Sequence, residues 1–201
     1  AVSGASEYQG DIPAFDLLHF NAGGMGARPT KDGLSATAFP SGVSGVPVEA
    51  TEAITPVVFW KKEFRESSGA PGCYRGGCGQ IIEIGGLDGI PFDVLAMYER
   101  VYHAPRGREG GKDGSLGRVY LKNGKELRPK GQQNIPANDS LVLELAGGAG
   151  FGNPLHRDPV KVAHDVKNGF VTKESAREDY GVSLDSDGKI NQIETESLRS
   201  E

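Results

Sequence analysis

Short apolar bursts separated by glycine-rich stretches set the pattern of this chain. Positions 57–64 (Val-Val-Phe-Trp-Lys-Lys-Glu-Phe) begin β-branched and aromatic and end charged, which predicts a strand. Positions 80–84 and 140–145 are compact apolar runs that predict two more. Positions 92–101 alternate in part and predict another. Asn123-Gly124 between Val119-Tyr120-Leu121 and Lys125-Glu126-Leu127 predicts a hairpin. Positions 14–22 fit a short strand or a helical turn, whereas 28–56 and 104–114 read as loops rich in glycine, proline and charge.

The pattern changes near residue 158. Asp158 followed by Pro159 is a helix start, and Val160, Ala163 and Val166 recur at helical spacing until Gly169. Thr172 caps a second helix that Gly181 stops. The whole predicts an α+β fold with a β-rich body, glycine-rich loops and a C-terminal helical hairpin. Its parts are an irregular segment over 1–13, the β-rich domain over 14–155, the hairpin over 156–184 and a polar tail over 185–201 that frays.

The chain holds 30 glycines in 201 residues, about twice average usage. They concentrate at 22–29, 69–79 and 147–154. Glycine permits positive φ and close backbone approach, so these stretches serve as tight turns, as amides turned toward a ligand, or as contacts with another backbone. The third stretch follows a predicted strand but satisfies neither the dinucleotide nor the P-loop spacing.

A net charge of −5 without a basic stripe argues against nucleic-acid binding, and no run is long and apolar enough to span a bilayer. The helical hairpin has an acidic second helix, which argues against a DNA-reading role. Cys73 and Cys78 lack a second ligand pair for zinc and read as reduced thiols, which suits a cytoplasmic protein. His19, His103, His156 and His164 show no metal or triad spacing. Glu49 and Glu52 read either as metal ligands or a base, or as anchors for loop amides. Arg75 could clamp an anion bidentately or tie its loop to carbonyls, and Arg28 near Asp32 carries the same two readings. His156-Arg157-Asp158 orients a substrate or caps the helix.

Several of these blocks together resemble one family. Gly24-Met25-Gly26-Ala27-Arg28-Pro29 with Asp32-Gly33 looks like its G-x-G-A-R-P-x-x-D-G segment. Phe39-Pro40-Ser41-Gly42-Val43 with Pro47-Val48-Glu49 and Glu52 looks like the next block. Ser67 to Gln80 is similar to D-S-G-G-A-G-x-Y-R-G-G-L-G-Q. Gly147 to Pro154, Arg157-Asp158-Pro159, Asp165-Val166, Asn168-Gly169 and Asp179-Tyr180-Gly181-Val182 resemble its C-terminal signature. The family is hydantoinase B, the oxoprolinase B-type subunit. Departures are Ser67 for Asp, Pro71 for a small residue, Cys78 for Leu and Ala149 for Gly.

The resemblance implies a C-terminal portion of a longer B-type subunit, inactive alone, that works with an ATP-binding A-type subunit. The complete complex would use ATP and a divalent metal to open hydantoin or 5-oxoproline rings, with ATP phosphorylating the amide oxygen before water attacks. The alternative is a non-catalytic assembly module of a related ketone carboxylase. The family's metal ligands belong to the portion outside this chain. The resemblance therefore assigns no catalytic residue, metal ligand or bound cofactor to these 201 residues. The residues placed in substrate-facing or interface loops are Gly24, Gly26, Arg28, Asp32, Arg75, Gly76, Gly77, Gly148, Gly150 and His156.

Overall fold

A computed structural model describes residues 2–4, 15–38, 43 and 45–200. Two four-stranded antiparallel sheets make the β-rich body. The first runs β2 (Phe15–Leu17), β1 (Val2–Gly4), β5 (Phe92–Met97), β7 (Lys130–Ile135). The second runs β3 (Val57–Phe64), β4 (Gln80–Gly86), β8 (Ser140–Glu144), β6 (Arg118–Leu121). The strands at 57–64, 80–86, 92–97 and 140–144 and the Asn123-Gly124 turn lie where the apolar pattern predicts them. Gly124 adopts φ +94°, and its amide donates to Leu121 O at 2.8 Å.

One apolar core joins the sheets. Leu17, Phe92, Val94 and Ile135 of the first pack with Ile82, Ile84, Leu141 and Leu143 of the second. β5 shows the expected alternation, with Phe92, Val94 and Ala96 buried and Leu95 and Met97 exposed. In β8, consecutive residues 140–143 are all buried, because both faces of that strand are covered.

Four elements differ from the sequence pattern. Val2–Gly4, within a segment expected to be irregular, is a strand pairing Val2 with Val94 and with Leu17. Three residues are too few to show a period. β7 (Lys-Gly-Gln-Gln-Asn-Ile) buries only Ile135 and is held by its ladder to β5, so polarity hid it. Helix α1 (Val48–Glu52) interrupts the long loop, and Glu52 accepts the Phe59 amide at 2.7 Å, which gives that carboxylate its anchoring reading. The tail does not fray. A turn pairs Leu184 with Ile190, and α4 (Gln192–Ser200) follows. Asn191 accepts the Glu194 amide at 3.2 Å, an N-cap signal with Glu three residues on. The 39–42 block and most of 1–13 lie outside the described residues.

The hairpin forms as capped. Asp158 accepts the Val160 amide at the start of α2 (Pro159–Lys167), and Thr172 accepts the Ser175 amide at the start of α3 (Lys173–Glu178). Gly169 and Gly181 take φ +70° and +61° at the helix exits. A second core of Val162, Val171, Ala176, Tyr180 and Val182 fills the space between these helices. The hairpin is bonded to the body: Ser67 N donates to Phe170 O at 3.1 Å and Thr172 N to Ser67 Oγ at 2.9 Å.

Candidate functional site

The three glycine stretches come together as a backbone lattice. Gly24 N donates to Ala146 O (2.9 Å), Gly77 N to Met25 O (2.8 Å), Gly148 N to Gly77 O (2.8 Å) and Ala70 N to Gly148 O (2.9 Å). The 105–114 loop joins, with Lys112 N bonded to Pro71 O at 2.8 Å and Gly150 N to Lys112 O at 3.0 Å. The segments lie so close that side chains cannot enter. A Cβ on Gly24 would stand 1.7 Å from Gly77 O, and one on Gly147 1.7 Å from Ser68 O. Gly24, Gly76, Gly77, Gly147, Gly148 and Gly150 do not take positive φ, so close approach and not turn geometry selects them. Of the readings open from sequence, contact with another backbone describes them.

A buried ion cluster locks this lattice to the hairpin. Arg157, 2% exposed, donates from Nη1 to Asp32 Oδ1 (2.8 Å) and Cys73 O (3.1 Å), and from Nη2 to Asp32 Oδ2 (2.8 Å) and Asp165 Oδ2 (2.7 Å). Arg75 donates from Nε to Asp165 Oδ2 at 3.2 Å and from Nη1 to Gly76 O at 2.7 Å, and its guanidinium lies 4.8 Å over the Phe170 ring. Asp32 also accepts the Arg75 amide at 2.7 Å. Burial alone would raise the Asp32 carboxyl; the Arg157 hydrogen bonds and charge, with the Arg75 amide, hold it below its ordinary range. Burial likewise lowers the Arg157 guanidinium, and Asp32 and Asp165 more than offset this, leaving it raised. Burial pushes the neighbouring Tyr180 hydroxyl up. Arg199 of α4 closes the cluster from outside, donating to Tyr180 O (3.0 Å) and Arg157 O (2.8 Å).

A cleft of about 430 Å³ opens on one edge of the lattice, floored by Gly24, Gly26 and Gly148 and walled by residues 97–101. Gly26 stands apart, since a Cβ there would meet nothing nearer than Ala149 at 3.9 Å. Glu144 on the wall is neutralised by Arg65 (3.0 Å) and accepts the Tyr120 hydroxyl at 2.9 Å. Burial pushes the Tyr98 hydroxyl up to about 12.

The residues singled out from sequence therefore divide. Gly24, Gly26 and Gly148 line the cleft; Gly76, Gly77 and Gly150 lie inside the lattice. Asp32 and Arg75 meet in the ion cluster, where Arg75 is buried with Nε and Nη1 bonded inside the protein. Arg28 is exposed and donates to Asp32 O at 3.1 Å. His156 is exposed, and its carbonyl lies 3.7 Å from Cys73 Sγ. Asp165 and the full role of Arg157 escaped the site prediction, although both sit in blocks that carried the resemblance. Asp158, the third of that trio, caps α2. Among the described residues no three His, Cys, Asp or Glu side chains gather to hold a metal ion, and no helix is long and apolar enough to cross a membrane.

Comparisons with known proteins agree with this architecture. The chain is 34% identical over 184 residues to the putative B-type subunit of the D-/L-hydantoinase of Pseudomonas sp. (strain NS671), covering 88% of this chain and 31% of that protein. Its fold matches nucleotide-free acetone carboxylase (TM-score 0.72, 24% identity, 99% of this chain, 32% of that one). It also matches the ATP-dependent caprolactamase of Pseudomonas jessenii (TM-score 0.73, 24% identity, 90% and 33%). The chain thus spans about a third of the length of these relatives. The family described as hydantoinase B/oxoprolinase matches residues 2–154, and with that match the chain belongs to the hydantoinase B/oxoprolinase family.

Proposed function

We propose that this chain is a C-terminal portion of the B-type subunit of an ATP-dependent hydrolase that opens a cyclic amide such as hydantoin or 5-oxoproline. The observation that carries the reading is the 34% identity to a B-type hydantoinase polypeptide over 88% of the chain. An A-type ATP-binding subunit and the rest of the B-type polypeptide complete the assembly. Cytoplasmic residence goes with it, supported by two free thiols at Cys73 and Cys78. The geometry favours a scaffold role. The titratable groups of the ion cluster are spent on one another, and the described residues offer no metal-ligand set. The resemblance places the divalent metal of the complete complex in the portion outside this chain. The cleft over Gly24, Gly26 and Gly148 is the face assigned to substrate or to adjoining polypeptide, and Asp32 and Arg75 hold that face rigid.

A second reading, an assembly module of a carboxylase, rests on the equally close fold match to acetone carboxylase. The deciding experiment co-expresses the full B-type polypeptide with its A-type partner and follows ATP hydrolysis. Stimulation by hydantoin or 5-oxoproline, with ring-opened product, is expected. Stimulation by acetone and bicarbonate alone would replace the first reading by the second.

A further inference from the structure

We propose that the groove between residues 98–103 and 128–130 binds an acidic segment of a partner polypeptide. The inference rests on the heteromeric reading above and adds where a partner docks and what chemistry it presents. The groove encloses about 870 Å³ and is distinct from the glycine-floored cleft, with residues 98–101 forming the shared ridge. Its charged lining is Arg100, Arg128, Lys130 and a single carboxylate, Glu99. Glu99 is paired with Lys130 at 2.6 Å. Among the described residues Arg128 spends its guanidinium only on Gln132 O at 3.2 Å, and Arg100 makes no side-chain hydrogen bond. Two positive charges therefore stand unbalanced in one groove of a chain whose net charge is −5.

The walls are fixed before a partner arrives. Tyr98 N donates to Pro129 O at 2.8 Å and ties them together. Arg100 sits at φ +61°, a conformation uncommon for a residue with a side chain, and its carbonyl accepts the Gly117 amide at 2.9 Å. The 74% exposed Tyr102 supplies aromatic surface beside the cations. Tyrosine with arginine is the composition enriched at protein interfaces. Exposed cations give a lone small anion little affinity, because water and salt screen each contact. Several carboxylates on one chain, with apolar contact to Tyr102, engage the groove together.

The test uses the full B-type polypeptide and a fluorescein-labelled peptide of alternating glutamate and alanine, read by anisotropy. Binding is expected at about 50 mM salt, weakened several-fold at about 300 mM, and weakened at least about tenfold by Arg100→Glu with Arg128→Glu. Thermal stability should be unchanged, since both side chains are exposed. A peptide that fails to bind at low salt, or binds the double variant equally well, overturns the proposal. So does displacement by inorganic phosphate at equal carboxylate and phosphate concentration. Ring-opening activity measured separately on the complex distinguishes the two readings. An active complex without peptide binding removes the groove alone, and peptide binding without ring-opening removes the proposed function alone.

Discussion

Arg157→Met is the sharpest probe of how the body and hairpin are held. The substitution keeps much of the side-chain volume and deletes the guanidinium. Four hydrogen bonds are lost: two to Asp32, one to Asp165 and one to Cys73 O. The Asp32 side chain is 35% exposed, so water compensates part of its loss, and that pair is discounted accordingly. The Asp165 side chain is 7% exposed and would keep only Arg75 at 3.2 Å. Removing one partner of a buried pair costs about 3–5 kcal/mol. A value of about 4 kcal/mol corresponds to a Tm lowered by about 8–16 °C in a chain this size. Urea and thermal unfolding of the wild type, Arg157→Met and the control Lys130→Ala measure it. The control breaks a fully exposed pair and is expected to leave the urea midpoint almost unchanged. A loss equal to that of the control would refute the claim that the cluster locks the two parts.

Two further outcomes follow from the same geometry. Gly147→Ala drives a Cβ to 1.7 Å from Ser68 O and should lose about 3 kcal/mol or more, whereas Gly26→Ala, with 3.9 Å to its nearest neighbour, should leave urea stability almost unchanged. Equal losses in the two variants would refute the account of why the lattice is glycine. Asp32 has a folded pKa below its ordinary value, so its stabilisation is complete above the usual carboxylate range and is lost as pH falls through the folded value. Asp32→Asn should therefore lower the urea midpoint at neutral pH and flatten its decline as the solution is acidified; an unchanged acid slope would count against the Asp32–Arg157 pair.

Much of the local structure was legible because its signals act between neighbours. Pro159 after Asp158, Thr172 ahead of α3 and Asn123-Gly124 each meet their partners within a few residues. The core strands were visible because burial of one or both faces imposes a period or an apolar run. β7 was missed because polar sequence does not announce an edge strand, and α4 because its polar composition outweighed the Asn191–Glu194 cap signal at its start. In the candidate site, the glycines were evident at once, but their purpose was open among turn, ligand contact and backbone contact. Arg75 was equally open, and its burial against Asp165 and Phe170 gives it the tying role.

The sequence by itself determined the strand-rich class, the capped hairpin and the family, because each depends on residue type at short spacing. Only the tertiary structure decided which glycines are indispensable and which charges belong together. Whether a Cβ fits at Gly24 depends on Gly77 and Gly148, and Asp32 finds Arg157 across 125 positions. Such clearances and pairings exist only after distant segments have been packed to within one hydrogen bond of each other.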